Sequence, residues 1–143
     1  MLRAARYALA ILLYAVPLGA TSIYSAGTTS ALSVTRYWPI VGGVAASTTE
    51  AQVNLQFTFT GTATAMYCKV DVPPGIGSSL AFTFRKTAGA TALTCTIADV
   101  ATTCNITGQS VALAATNLVD FQSVPTGSPV SPVNANCAIV VTD

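Results

Sequence analysis

The chain reads as all-β: a single β-sandwich of about eight antiparallel strands, jelly-roll-like, behind an apolar N-terminal helix or arm. Three features carry that expectation. From residue 51 onward apolar side chains recur at every second position, the repeat of a strand with one buried face. Glycine and proline clusters interrupt the repeat at intervals of roughly ten residues. After residue 20 no apolar stripe of helical period occurs. A length of 143 residues suits one such domain with its own core.

Residues 1–20, MLRAARYALAILLYAVPLGA, place Arg3 and Arg6 ahead of an apolar run that ends at Pro17-Leu18-Gly19-Ala20. A positive flank, an apolar stretch and small residues are the layout of a secretory signal. The run is too short for a membrane span, which takes about 20 residues, so any membrane contact would be confined to this segment. The other reading is an assembly arm, with Tyr7, Leu12, Leu13 and Tyr14 buried against a neighbouring subunit. Both stay open at this point.

Residues 21–50 are rich in Ser, Thr and Gly and are expected to form an extended arm. Within them Arg36-Tyr37-Trp38-Pro39-Ile40-Val41-Gly42-Gly43 holds the single Trp of the chain. Tyr37, Trp38 and Ile40 either plug one end of the core, the preferred reading, or dock on a neighbour as subunit-interface residues.

The sandwich is assigned to residues 51–143. Its first run, 52–59, sets Val53, Leu55, Phe57 and Phe59 against Gln52, Asn54, Gln56 and Thr58. After Gly61, run 63–72 sets Met66, Cys68, Val70 and Val72 against Ala65, Tyr67, Lys69 and Asp71. Pro73-Pro74-Gly75-Ile76-Gly77 breaks the chain. Run 80–86 buries Leu80, Phe82 and Phe84, and Ala88-Gly89-Ala90 turns into run 92–97. Runs 102–107, 110–114 and 118–124 follow, then a proline loop over 125–132 and a last strand over 137–142.

Cysteines stand at 68, 95, 104 and 137 with no CxxC pair and no histidine in the chain. Zinc would need all four at spacings unlike a compact knuckle, and a catalytic thiol would lack its imidazole. Disulfides are the better reading, with four buried thiols as the alternative. Of three possible connectivities, Cys95–Cys104 and Cys68–Cys137 are preferred: one spans the Ala98-Asp99 turn, the other joins an early strand to the last. They imply an oxidising, extracellular setting or a thermophilic source.

Charged residues make up 8% of the chain, against about 25% in an ordinary domain. Glu50, Lys69, Asp71, Lys86, Asp99, Asp120 and Asp143 are scattered singly, so no acid, base, nucleophile or metal cluster is evident. No enzyme, cofactor or metal is expected. A net charge of +1 leaves no basic footprint for nucleic acid. Asp71, Asp99 and Asp120 are read as caps at strand ends or turns. Arg85-Lys86 is read as a solvated strand end, or else as a contact for an acidic glycan. Asn105-Ile106-Thr107 matches a glycosylation sequon of a kind that arises often by chance in Thr-rich chains.

Arg36 to Gly43, Pro73 to Gly77, Phe82-Thr83-Phe84-Arg85-Lys86, Leu93-Thr94-Cys95-Thr96-Ile97, Val119-Asp120 and Val124-Pro125-Thr126-Gly127-Ser128-Pro129 together have a familiar ring. Over about residues 35–132 the chain resembles small β-sandwich proteins of phage and environmental genomes, of the tail-fibre, spike or capsid-decoration kind. The resemblance implies a virion or surface role and no site residues; the cysteines and the apolar N-terminus depart from it. The expected function is a non-enzymatic, self-assembling subunit of a virion or extracellular filament, whose partners are copies of itself or other structural subunits. The alternative is a secreted carbohydrate-binding or adhesin module that uses Tyr37, Trp38 or Tyr67 as a sugar platform for surface glycans.

Overall fold

Alternating burial requires each strand to lay one face on another layer, and here two sheets supply the layers for each other. The computed structural model describes residues 20–43, 45–129 and 134–143. Tyr7, Leu12, Leu13 and Tyr14, with the expected N-terminal helix or arm, lie outside the described residues.

The strands are β1 (Thr21–Thr28), β2 (Arg36–Trp38), β3 (Gly42–Gly43), β4 (Leu55–Gln56), β5 (Gly61–Val70), β6 (Gly75–Lys86), β7 (Gly89–Asp99), β8 (Thr103–Ile106), β9 (Val111–Leu113), β10 (Leu118–Thr126) and β11 (Ala135–Thr142). The first sheet runs β3-β1-β11-β5-β8, with β9 also on β5; the second runs β2-β10-β6-β7, with β4 also on β10. Every pairing is antiparallel except β1 with β3.

There are thus eleven strands among the described residues where about eight were expected. The extra ones arise because two lanes are broken. β8 pairs with Met66 to Lys69 and β9 with Gly61 to Ala63, so both lie end to end along the side of β5 away from β11. Gly108, at φ 71°, kinks the chain between them. In the same way β2 and β4 lie end to end along β10.

Two further expectations are corrected. Thr21–Thr28 is no free arm: it pairs residue for residue with β11 from Thr21↔Thr142 to Thr28↔Ala135. Its inward side chains Ala26 and Thr28 are small, which gives little apolar signal, and Tyr24 packs edge-on against Phe57 at 5.7 Å. Run 52–59, the cleanest alternation in the sequence, is mostly not strand. Glu50–Gln52 coils into a 3-10 turn, and only Leu55–Gln56 pairs. Phe57 and Phe59 pack against each other at 4.4 Å, tilted, and cover Tyr24, so beyond the single Phe57 N–H bond to the Asn117 carbonyl the apolar repeat reports burial of the rings.

The core between the sheets is built from unlike halves. β2, β6 and β10 contribute Trp38, Phe82, Phe84 and Phe121, all fully buried, with ring centroids 5.9–6.2 Å apart. The first sheet answers with Met66, Val70, Ile139 and Val141. Both preferred disulfides form. Cys68–Cys137 joins register partners on β5 and β11, Cα atoms 4.2 Å apart, and faces the core. Cys95–Cys104 crosses from β7 to β8 and so staples the edges of the two sheets, Cα atoms 5.7 Å apart. On the opposite side Ser47 bridges Tyr37, and the Ala46 N–H donates to Thr28 Oγ1 at 3.1 Å and to Ser30 Oγ at 2.8 Å. The staple closes one flank and this segment covers the other.

The β6–β7 hairpin turns on Thr87 and Ala88, at φ 51° and 60°, the left-handed pair that a two-residue turn requires. Non-glycine residues pay about 1–2 kcal/mol to sit there, so Thr87→Asn with Ala88→Gly is expected to raise urea stability by roughly 1 kcal/mol. By loop closure, removing Cys68–Cys137 is expected to cost up to about 4.4 kcal/mol and removing Cys95–Cys104 up to about 2.6 kcal/mol. Paired Cys→Ser variants in the same urea titrations check both the magnitudes and their order.

Candidate interaction surface

Polar side chains of a sandwich can act only from outer faces, edges and end loops, because the inner faces are core. On the outer face of the second sheet, Asp120 of β10 and Arg85 of β6 are register partners, and the 3-10 turn brings Glu50 down onto them. Arg85 Nε and Nη2 donate to Glu50 Oε1 and Oε2 at 2.9 and 3.1 Å, a two-pronged ion pair. Its Nη1 donates to Gln122 Oε1 at 3.3 Å, its Nη2 also to the Ala88 carbonyl, and its guanidinium lies 5.6 Å from the Tyr37 ring centroid. Gln122 Nε2 donates to the Tyr37 hydroxyl at 3.1 Å.

Asp120 is 1% exposed. Burial above all, then the negative charge of Glu50 and a hydrogen bond to it, push the Asp120 carboxyl up to about 8, against a smaller opposing pull from Arg85. The direction of that shift favours the protonated form of Asp120 at neutral pH, with Glu50 as the neighbouring carboxyl, while Asp120 Oδ1 is buried with no hydrogen-bond partner among the described residues. Glu50 is held below its ordinary value, chiefly by the hydrogen bond from Arg85. Two adjacent carboxyls are the raw material of acid–base chemistry. Here one of them is sealed from solvent, and the cluster clasps the 3-10 turn to the sheet.

Several sequence expectations change accordingly. Arg85 is a half-buried hub, and Lys86 Nζ donates to the Ala112 carbonyl at 2.9 Å, so neither is a freely solvated strand end. Asp120 sits mid-strand, while Asp71 and Asp99 do cap: Asp99 accepts from the Gly77 N–H at 2.8 Å, and Asp71 from Asn134 N and Nδ2 at 3.0 and 2.8 Å. Those bonds, the Asn134 N–H first, hold the Asp71 carboxyl below its usual range. Trp38 and Ile40 are buried in the core, so neither docks on a neighbour nor carries a sugar. Tyr37 is engaged with Arg85 and Gln122. Tyr67 is left, 48% exposed on the outer face of the first sheet.

Two shallow clefts meet at Lys69 and Asn136, one of them bordered by Tyr67. One, of 350 Å³, is lined by Tyr67, Lys69, Thr103, Asn105, Asn136 and Ala138. The other, of 390 Å³, runs past Gly27, Thr28, Asp71 and Asn134 and shares Lys69 and Asn136 with the first. The lanes explain the meeting: Tyr67 pairs with Ala138 and Asn105, and Lys69 pairs with Asn136 and Thr103, so all point outward together. Asn136 gave no signal in the sequence, because its strand partners Lys69 and Gly27 lie far from it along the chain.

The ends of the sandwich differ. At one, Ile76 and Val100 are 90% and 76% exposed, flanking the paired Gly75 and Asp99. At the other, β1 begins beside the end of β11, where the Asp143 N–H donates to the Ala20 carbonyl. Among the described residues no three His, Cys, Asp or Glu gather as a metal cage would need, and no helix is long and apolar enough to cross a membrane.

Trp38→Ala is expected to cost about 3–5 kcal/mol in urea titration, at protein concentrations where association is absent. The clasp predicts a pH dependence. Unfolded, Asp120 titrates near 3.8, so between there and about 8 the folded chain holds a proton that the unfolded chain has lost. Stability therefore declines as pH rises through that window. Glu50, being depressed, contributes in the opposite sense and loses its contribution as pH falls below about 4.5. Asp120→Asn mimics the protonated carboxyl, and its stability is expected to be nearly flat from about pH 5 to about 8, where the parent falls. No family model, curated protein or solved structure matches the chain.

Proposed function

We propose that the protein is a non-enzymatic structural subunit of an extracellular or virion assembly, built on a jelly roll. The lane order supports the jelly roll: β1-β11-β5-β8/β9 in one sheet and β2/β4-β10-β6-β7 in the other, the chain crossing between sheets at most connections. Jelly rolls recur in viral capsids and in lectins, so the architecture agrees with the function by analogy only.

The observation that carries the reading is the surface. Its few charges are largely consumed internally: Arg85 and Glu50 on each other, Asp71 on Asn134, Asp99 on Gly77, Lys86 on Ala112. Large apolar side chains are left outside, led by Ile76, Val100 and Ile23, the last 71% exposed on β1. Along Thr21 to Ser25 the side of β1 away from β11 pairs with no strand among the described residues, since β3 reaches only Ala26 and Gly27. A bare, uncharged edge is a template for another chain's strand. Apolar groups at one end and the start of β1 at the other give the subunit a direction, which suits head-to-tail contact. The disulfides agree with an oxidising environment.

Sedimentation of the full-length protein tests this. Concentration-dependent oligomers are expected, and Ile76→Ser with Val100→Ser should weaken association by on the order of tenfold to a hundredfold without lowering thermal stability. A parent protein that stays monomeric to millimolar concentration would remove the proposal.

A further inference from the structure

We infer that the outer face of the first sheet, where β8, β5 and β11 present Tyr67, Lys69, Asn105 and Asn136, binds an acidic saccharide. The proposal is independent of the assembly reading, which rests on the β1 edge and on Ile76 and Val100.

The groove is open and shallow, which suits a chain of rings lying on a sheet better than a compact apolar ligand. Tyr67 offers the only half-exposed aromatic face among its lining residues. The face of an aromatic ring is electron-rich and accepts the apolar C–H side of a pyranose. Asn105 and Asn136 flank the ring, and an amide both donates and accepts, the pattern that neighbouring sugar hydroxyls need. Asn136 is pre-set: Ser25 Oγ donates to its Oδ1 at 3.1 Å. Gly27 makes room for it, since a Cβ at that position would lie 3.3 Å from Asn136 Nδ2 and 3.2 Å from the Ala135 carbonyl.

Lys69 gives the sign of the ligand. Among the described residues the only ion pair is Arg85–Glu50, on the other sheet, so the Lys69 ammonium has no carboxylate at bonding distance. Asp71, the nearest acid along the strand, has both oxygens turned onto Asn134. A cation left open beside an aromatic platform selects a sugar bearing a carboxylate. The Cys68–Cys137 bridge lies beneath the groove and Cys104 is tied to β7, so the backbone carrying these side chains is fixed before any ligand arrives.

The test is titration calorimetry with oligogalacturonate and with hyaluronan tetrasaccharide, each beside its carboxyl-reduced neutral form. Protein made in a host without N-glycosylation keeps Asn105 bare. The expected result is tighter binding of at least one acidic probe than of its neutral form, weakening as salt rises. Tyr67→Ala should weaken it at least tenfold, with Tyr67→Phe close to the parent. Lys69→Ala should abolish the preference for acidic over neutral forms. Both positions are exposed, and unchanged melting curves confirm folding. Failure of both acidic probes, equal binding of acidic and neutral forms, or binding untouched by Lys69→Ala would overturn the inference, whatever the oligomeric state.

Discussion

A sandwich of this size holds only if its two inner faces fit each other, and here one face mixes large rings with Leu80, Leu93, Ile97 and Val119 while the other is mainly aliphatic. Trp38, Phe82, Phe84 and Phe121 bring large rings from the second sheet, while the first sheet presents Met66, Val70, Ile139 and Val141 across from them. Close packing at interior density leaves no tolerance for two bulky layers or two small ones. The rest of the architecture follows from keeping these layers in register. Cys95–Cys104 fixes one flank at the β7–β8 edge, and the Ala46–Ser47 segment fixes the other through Thr28, Ser30 and Tyr37.

Charge is used sparingly and almost entirely in service of the fold. Glu50, Arg85 and Asp120 form one network that pins the 3-10 turn to the outer face of the second sheet. Such a network is favoured while one carboxyl keeps its proton, because two carboxylates beside one guanidinium in a buried site leave a charge uncompensated. Asp71 and Asp99 close end loops. What remains outside among the described residues is mostly apolar, hydroxylic or amide, and Lys69 is a cation there with no carboxylate at bonding distance. A surface so short of charge has little electrostatic repulsion to hold it apart from other surfaces. That is the physical ground of the proposed assembly role, and the open Lys69 ammonium is the ground of the inferred saccharide site.

How much of this could be read from the chain depends on whether a feature is local. Leu80, Phe82 and Phe84 declared their strand by alternation and all three are buried. The pairing of Cys68 with Cys137 and of Cys95 with Cys104 followed from which runs they occupied. Thr21–Thr28 escaped because Ala26 and Thr28 bury so little that their repeat looks like loop composition, although β11 holds every residue of the strand. Residues 52–59 misled in the opposite direction: Phe57 and Phe59 are apolar for the sake of Tyr24, not of a ladder. Asp120 read as a turn residue, since nothing near it in sequence reveals that Glu50 and Arg85 converge on it.

The sequence by itself determined the class of the protein. Period-two burial, glycine and proline breaks, paired cysteines and the scarcity of charge are properties of short windows or of bulk composition, and each acts through local sterics or the hydrophobic effect. Only the tertiary structure decided which lanes neighbour which, that Trp38 and Ile40 face inward, that Glu50 and Arg85 converge on a buried Asp120, and that Tyr67, Lys69, Asn105 and Asn136 share one face. Those are outcomes of long-range strand register, where one slip of a residue turns every side chain to the opposite side. No window of the chain short enough to read locally contains that information.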